Sequence, residues 1–224
     1  MKKAALLLFT CVLLSSCKQE YGQINLTHNG FAQSIHSLRI YSNDTVAYEA
    51  KVPFHLMEVD TLKLEKLPSG NYKMSYLDLL GKVKTDEIIL KGGEIVFAEP
   101  RPDTININPY YDKTPINNIK DGEHYLVRSK GGCVATLEGW YTIYKENNKI
   151  YFEPTRGKKR LLDENELKAL NHFEAELLAI NGVNICNSTA RMTYTIEKTA
   201  DTLRITDNTC MWNGWRDLMR KINK

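Results

Sequence analysis

The sequence lacks the short motifs by which many enzymes and metal sites are recognised. It contains no H-E-x-x-H, G-x-S-x-G, C-x-x-C or P-loop pattern. The five histidines are scattered, and no two lie four residues apart as a helical metal pair would require. A nucleophile pair of Cys133 with His124 or with His172 can be drawn, but any lone cysteine and histidine can be combined in this way. We therefore expect no catalytic residue, no metal and no cofactor.

The chain also has little net charge. Its 30 Lys and Arg exceed its 27 Asp and Glu by only three. Nucleic-acid binding leaves a clustered basic surface as its footprint, so this balance gives no reason to expect such a partner. The one basic cluster is RGKKR, from Arg156 to Arg160. Such a run is usually a solvated loop, and the alternative is contact with an anionic partner.

No apolar run near the start is long enough to cross a bilayer, which takes about 20 residues. Residues 4–14 are uncharged and apolar, follow Lys2 and Lys3, and lead to Ser15 and Ser16. This order is typical of a secretory signal peptide, here over residues 1–16. The alternative is a buried N-terminal helix, but the run has neither a polar face nor a cap. Loss of the two lysines lowers the net charge by two, to +1.

The run ends in LSSC, residues 14–17, which resembles the lipobox of bacterial lipoproteins. The resemblance implies cleavage before Cys17, a diacylglycerol thioether on its thiol and an acyl chain such as palmitate on its new amine. Each buried CH₂ contributes about 0.8 kcal/mol, so more than one chain anchors firmly. The next residue is Lys18 rather than the Asp of an inner-membrane retention signal. The expected location is therefore the outer membrane of a diderm bacterium.

Cysteine is scarce, and its five copies can be assigned one by one. Cys11 leaves with the signal peptide and Cys17 carries lipid, so Cys133, Cys186 and Cys210 remain. Three thiols form at most one internal bridge. If the predicted strands on either side of residues 199–200 pair as a tight hairpin, Cys186 and Cys210 lie nearly opposite each other beyond its ends. We predict this bridge, and a bridge from Cys133 to either one is the alternative.

The first half of the mature chain has strand patterns and no helical one. We interpret residues 17–30 as a lipidated tether and residues 31–100 as an all-β sandwich of short strands separated by turns. Residues 64–78, LEKLPSGNYKMSYLD, resemble the L-P-x-G-x-Y turn and strand of transthyretin-like, carboxypeptidase-regulatory-like modules. The resemblance implies a scaffolding or adhesive role.

Proline is rare outside one stretch, because four of the seven lie in residues 99–118. Proline fixes φ and removes a hydrogen-bond donor, so this stretch should be extended and outside any sheet. We predict a domain linker over residues 101–118.

Residues 119–224 mix strands and helices in the order β-ββ-α-ββ-α. A hairpin over residues 140–154 has its turn at Asn147 and Asn148, and a helix begins at Asp163, which with Glu166 forms a capping-box pattern. A second hairpin and a helix over residues 214–222 follow. Strands and helices that segregate in this way predict an α+β domain and make the whole chain α+β.

A longer pattern in this half resembles a domain family of unknown function in bacterial lipoproteins. In that family a Gly-Cys turn precedes Y-T-x-x-I-Y, a turn and a further strand with tyrosine. The residues that match it are Cys133, Tyr141, Thr142, Tyr144 and Tyr151. The family also tends to have a second cysteine, where this chain has Thr136 and Leu137. The resemblance implies no activity.

Aromatic residues offer one further candidate site. Trp140, Trp212 and Trp215, with Tyr141 and Tyr144, could form a platform for carbohydrate. Aromatic side chains more often pack in a core, and Trp215 would face the core from its predicted helix.

Four threonines lie in Asp-Thr-aliphatic triplets. These triplets resemble the O-glycosylation acceptor of exported proteins in one large phylum of anaerobic diderm bacteria. The alternative is a turn that ends in Asp and a strand that begins with Thr. The residues are Thr45, Thr61, Thr104 and Thr202.

Together these observations predict a lipid-anchored cell-envelope protein with a non-catalytic binding or scaffolding role. Its partner would be a protein or a glycan. The alternative is a hydrolase of envelope polymers with a site between the two domains, recognisable by convergent polar side chains with shifted pKa values.

Overall fold

A computed structural model of the chain describes residues 20–27, 34–50, 54–55, 61–132, 136–186, 191–199 and 201–222. The predicted signal peptide, Cys17 and Cys133 lie outside these ranges. Of the described residues, 48% lie in strands and 20% in helices, and most strands pair antiparallel. The prediction of a chain dominated by antiparallel sheets is therefore confirmed at this level.

The described residues between Glu20 and Pro100 form three sheets. A four-stranded sheet has the order β4-β3-β7-β8, a three-stranded sheet the order β6-β1-β9, and β2 pairs with β5. The strands are β1 (Tyr21–Thr27), β2 (Ser34–Ile35), β3 (Arg39–Ser42), β4 (Thr45–Glu49), β5 (Phe54–His55), β6 (Thr61–Pro68), β7 (Gly70–Leu77), β8 (Val83–Leu90) and β9 (Ile95–Ala98).

One apolar core holds this half together. Alternate residues of the two larger sheets are buried in a single cluster, because successive strand side chains point to opposite faces. The L-P-x-G-x-Y stretch supplies the turn between β6 and β7, where the buried Tyr72 donates its hydroxyl hydrogen to the carbonyl of Pro68 at 2.7 Å. The cluster contains Ile24, Leu26, Ile35, Leu38, Ile40, Tyr72, Met74, Tyr76, Ile88 and Leu90.

The interpretation of residues 17–30 as a tether is wrong for residues 21–27. These residues form β1, which lies between β6 and β9 in its sheet. Ile24 and Leu26 are fully buried, which fixes the face of the strand that meets the core. The pairing with β6 is antiparallel and the pairing with β9 is parallel. Both partner strands are distant in sequence, so the composition of residues 17–30 could not predict this pairing.

The predicted linker also differs from expectation. Residues 101–118 contain no strand, but they include a 3-10 helix (Asn108–Lys113) and a short helix α1 (Pro115–Asn118). Pro115 and Ile116 are buried. Proline at the start of each helix suits the first turn, where its missing N–H costs nothing. The end of the segment thus packs with the second half of the protein, while its beginning is hydrogen-bonded to the first half through Leu79 and Pro102.

The second half is built on one antiparallel sheet of six strands. Its order is β13-β12-β11-β10-β14-β15, so β10 lies between the two hairpins. The strands are β10 (His124–Gly131), β11 (Leu137–Glu146), β12 (Lys149–Pro154), β13 (Arg160–Leu161), β14 (Met192–Lys198) and β15 (Asp201–Asp207). Asn147 and Asn148 have φ values of 52° and 58°, as a tight hairpin turn between β11 and β12 requires.

Two helices pack on one face of this sheet. Helix α2 (Glu164–Ala179) begins with the predicted capping box, in which Asp163 accepts from the Glu166 backbone and Glu166 accepts from the Asp163 backbone. Helix α3 (Gly214–Ile222) ends the described chain. Phe173 of α2 stacks on Trp212 with ring centroids 5.4 Å apart, and Tyr194 meets the same indole edge-on. Leu79, from the turn between β7 and β8, joins this core and so links the two halves.

Candidate functional site

A groove of about 820 Å³ lies at one end of the six-stranded sheet. It is bounded by β11, by the loop after β12 and by α3. Apolar side chains from α3 lie on one side, and polar and charged side chains from the loop and β11 lie on the other. Its lining residues are Glu138, Gly139, Trp140, Pro154, Thr155, Arg156, Arg160, Trp215, Met219 and Ile222.

A glycine allows the floor of this groove to form. A Cβ atom at Gly139 would lie 3.2 Å from the Trp215 ring, closer than such atoms normally approach. Without it, the indole of Trp215 lies against β11 and stacks on Tyr141 with ring centroids 5.5 Å apart. The floor is therefore rigid and aromatic.

Side chains of neighbouring strand residues point to opposite faces of a sheet. The side chain of Trp140 therefore lies on the face of β11 opposite to that of the buried Tyr141. Its side chain is 40% exposed. Its backbone is fixed at both ends: the N–H donates to Thr155 Oγ1 at 2.8 Å, and Thr155 donates back to the Trp140 carbonyl at 2.5 Å. No aromatic ring in the described ranges stacks on it. The exposed indole therefore lies on the outer face of the sheet, beside Arg128 and away from α3 and Trp215.

The basic cluster divides into paired and unpaired cations. Arg160 forms a two-pronged ion pair with Glu166 at 2.9 and 2.8 Å, and this pair lowers the pKa of the Glu166 carboxyl. Lys159 pairs with Glu146 at 2.5 Å and lies 4.3 Å from the centre of the Tyr144 ring. Within the described part of the chain, Arg156 and Lys158 have no hydrogen-bond or ion-pair partner, and both are exposed. Arg156 is thus the uncommitted cation of the groove.

The predicted aromatic platform does not form as a unit. Trp215 lies in the floor of the groove and the Trp140 indole on the outer face of the sheet, and Trp212 is only 8% exposed and packs on Phe173. Tyr141 is fully buried, and Tyr144 lies on the solvent face of the sheet, stacked on His124 at 5.7 Å. Sequence reasoning identified Trp215 and the basic cluster separately, but only the fold brings Trp215 and Arg156 to the same groove.

Cys186 and Cys210 lie at disulfide distance, with Cα atoms 5.9 Å apart. This is the pairing predicted from the hairpin register, and Lys198 does pair with Asp201 across the turn. The backbone N–H groups of Ile185 and Cys186 also donate to the carbonyl of Asn208. The two segments that the bridge joins are therefore also held together by hydrogen bonds.

The imagined nucleophile pairs gain no support. Cys133 lies outside the described residues. His172 has both ring nitrogens engaged, Nδ1 with the Tyr111 hydroxyl at 3.1 Å and Nε2 with Glu176 at 3.2 Å. His124 stacks on Tyr144 on the outer face of the sheet.

The four candidate glycosylation sites lie on the surface. Thr45 and Thr61 begin β4 and β6, and Thr202 is the second residue of β15. These positions also fit the alternative interpretation, in which a turn ends in Asp and a strand begins with Thr. Thr104 lies in the irregular segment after β9 and is exposed. Their modification stays a prediction.

A buried carboxyl that sequence reasoning did not assign lies beneath the sheet. Glu174 of α2 is fully buried, and its carboxylate accepts from the Ile116 N–H at 2.8 Å and from the Tyr125 hydroxyl at 2.5 Å. Burial raises the pKa of Glu174 to about 7. The only sequence signal was a glutamate that interrupts the apolar stripe of the helix. Glu174 does not line the groove.

The described residues contain no cluster of three or more His, Cys, Asp or Glu side chains suited to a metal ion. Of the helices within the described ranges, none has the length and apolar character that a membrane crossing requires. No protein-family model matches the chain, and a search of curated proteins finds no relative.

Proposed function

We propose that the chain is a lipid-anchored cell-envelope protein with a non-catalytic binding role. The observation that carries the binding role is the groove beside α3, whose lining joins the apolar side chains of Trp215, Met219 and Ile222 to the unpaired guanidinium of Arg156. Concave sites with an apolar floor and a few polar groups are the usual form of ligand sites. The partner is a protein or a glycan.

The architecture that we propose for this role has two parts. Residues 31–100, with β1 added to their sheets, form a β-sandwich of the transthyretin-like kind, which acts as a scaffold. Residues 119–224 form an α+β domain, like the lipoprotein domain of unknown function that its tyrosine pattern resembles. Support comes from one apolar core in the first half and a helix-covered antiparallel sheet in the second. The helix at the end of the segment over residues 101–118 packs with the second part.

The anchor that we propose is Cys17, in the outer membrane. It rests on the lipobox resemblance and on the basic start and apolar run that precede it. A binding domain held at a membrane gains effective concentration for any partner that is confined to the same surface.

Replacing Cys17 with serine should remove the protein from the outer membrane, because the lipid chains lose the thiol to which they attach. After cell fractionation, we expect the wild-type protein in the outer-membrane pellet and the Cys17→Ser variant mainly in its precursor form or the soluble fraction. Cys11→Ser is the matched control, since Cys11 precedes the expected cleavage site. The intact mass of the wild-type protein should exceed that of the polypeptide by diacylglycerol and acyl groups. A mass beyond polypeptide plus lipid would indicate glycans on the four threonines. A Cys17→Ser variant that matches wild type in mass additions and location would refute the anchor.

The hydrolase alternative has less support in the groove. Glu138 is the only carboxylate among its lining residues. Burial raises the pKa of Glu174 and of Asp207, but neither carboxyl lines the groove. A hydrolytic site of two carboxylates would need both groups at the same scissile bond.

A further inference from the structure

We infer that the outer face of the three-stranded sheet β6-β1-β9 lies against the lipid bilayer surface. The contact depends on the proposed anchor at Cys17 and adds to it which face of the scaffold meets the membrane. Three observations carry it: an exposed apolar patch on this face, the position of the anchor along β1, and the balance of charge around the patch.

Three large apolar side chains lie together on this face. Tyr21, Ile95 and Phe97 are each more than half exposed. In the parallel pairing of β9 with β1, Ile95 is opposite Gln23 and Phe97 is opposite Asn25. Opposite residues share a face of a sheet, and side chains alternate along a strand. Tyr21 therefore lies on the same side as Ile95 and Phe97, away from the core.

The position of the anchor selects this face over the other exposed apolar face of the scaffold. Cys17 precedes Tyr21, the first residue of β1, by only four residues, so the lipid would join the protein at this sheet. The four-stranded sheet buries its inner face in the same core. Its outer face, where Val83 and Ile89 are exposed, therefore points to the opposite side of the core.

The polar groups of the face suit a partly dehydrated contact. Gln23 Nε2 donates to Asn25 Oδ1 at 2.6 Å, which lowers the cost of removing water from both amides. Lys63 lies opposite Asn25 on β6 and is exposed, and a lysine stem covers apolar surface while its ammonium group reaches toward lipid phosphates. A tyrosine such as Tyr21 favours the membrane interface, because its ring is apolar and its hydroxyl stays wet.

The charges around the patch nearly cancel, so apolar burial is the main attraction. A shallow concavity of about 400 Å³ on this face has both signs of charge in its lining, from Glu65, Lys66 and Glu94. With Lys63, the face has two cations and two anions. Attraction to anionic lipid is therefore weak, and the contact should depend little on salt.

An added tryptophan tests the contact in the lipidated protein. The protein is reconstituted in phosphatidylcholine vesicles whose acyl chains carry bromine, which quenches indole fluorescence at short range. We expect the fluorescence added by Phe97→Trp, relative to the wild type, to be quenched at least threefold more than that added by Val83→Trp. Val83 is the matched control, because it is about as exposed as Phe97 but lies on the outer face of the four-stranded sheet.

Vesicle sedimentation of the mature Cys17→Ser chain measures the same contact without the anchor. We expect weak binding to phosphatidylcholine vesicles that Phe97→Ser lowers about tenfold, or about 1.4 kcal/mol, as the lost burial of most of a phenylalanine side chain implies. Val83→Ser should leave the affinity within twofold. Unchanged thermal unfolding of both variants shows that the effect is local.

Equal quenching at positions 83 and 97, or none at either, would overturn the contact and leave the anchor standing if the lipid mass is present. Phe97-dependent vesicle binding by a protein without lipid mass would instead keep the contact and reject the anchor. Binding that requires added phosphatidylglycerol and disappears at high salt would show that a charged surface, and not this face, meets the membrane. Phe97-dependent self-association in detergent would assign the face to a second copy of the chain.

Discussion

Replacing Glu174 with alanine should lower the free energy of unfolding by about 4 kcal/mol. The carboxylate is fully buried and accepts hydrogen bonds from the Ile116 N–H and the Tyr125 hydroxyl. Alanine leaves both donors buried without a partner, at about 1 to 3 kcal/mol each, and creates a cavity in addition. Chemical denaturation of the two proteins measures the difference.

Glu164 supplies the control for this substitution. It lies on the same helix, is exposed, and pairs with Lys168 one turn away at 2.7 Å. Surface pairs of this kind contribute about 0.5 kcal/mol or less, so Glu164→Ala should change stability little. Equal effects at positions 164 and 174 would contradict the structural role assigned to Glu174.

The same carboxyl should make stability depend on pH in a recognisable direction. Its pKa in the folded protein is about 7, above the value of about 4.3 expected in an unfolded chain. Between these values the folded state binds the proton more strongly, so stability rises as the pH falls. From pH 8 to pH 5 the gain from this group is about 2 kcal/mol. Lys198 opposes the shift through its charge, but burial dominates.

Glu174→Gln isolates this contribution, because an amide of the same shape does not titrate. Its oxygen can still accept from Ile116 and its NH₂ group can donate to the Tyr125 oxygen. Stability profiles measured from pH 5 to pH 8 should differ between wild type and Glu174→Gln by the expected slope. Parallel profiles would show that Glu174 does not titrate in this range.

Breaking the bridge between Cys186 and Cys210 should cost about 3 kcal/mol. The two cysteines are 24 residues apart, and a bridge that closes such a loop restricts the unfolded chain by about that amount. For a chain of this size we expect the Tm of the Cys186→Ser, Cys210→Ser double variant to fall by about 10 °C. The bridge joins the outer ends of β14 and β15, so its loss should also increase hydrogen exchange in that hairpin.

Cys133→Ser is the control that separates the two possible pairings. If Cys186 and Cys210 form the bridge, removal of Cys133 leaves Tm unchanged. Non-reducing peptide mapping should then show one linked peptide pair and a free thiol at Cys133. A fall in Tm for Cys133→Ser equal to that of the double variant would instead identify Cys133 as a bridge partner.

The local features of the fold were predictable because their signals are local. Asn147 and Asn148 tolerate positive φ and so mark a hairpin turn, and Asp163 with Glu166 marks the start of α2. The register across residues 198 and 201 followed from the turn and placed Cys186 near Cys210. Each of these depends on residues within a few positions of one another.

The features that were missed depend on pairings distant in sequence. β1 is a strand because β6 and β9 flank it, and β10 is central because β14 pairs with it about seventy residues later. The burial of Pro115 and Ile116 similarly depends on α2 and its buried Glu174. The groove shows the same limit: Arg156 and Trp215 are each visible in the sequence, but only the hairpin, the loop and α3 together bring them to one concave surface.

The position of β1 would determine how a lipid anchor at Cys17 holds the protein against a membrane. If Cys17 carries the lipid, only four residue steps separate it from Tyr21, the first residue of β1. Four fully extended residues span at most about 14 Å. The scaffold is therefore held close to the lipid headgroups and has little freedom to swing outward. Its height above the bilayer is set by the dimensions of the folded body, and the headgroups themselves form part of the surroundings of the first sheet.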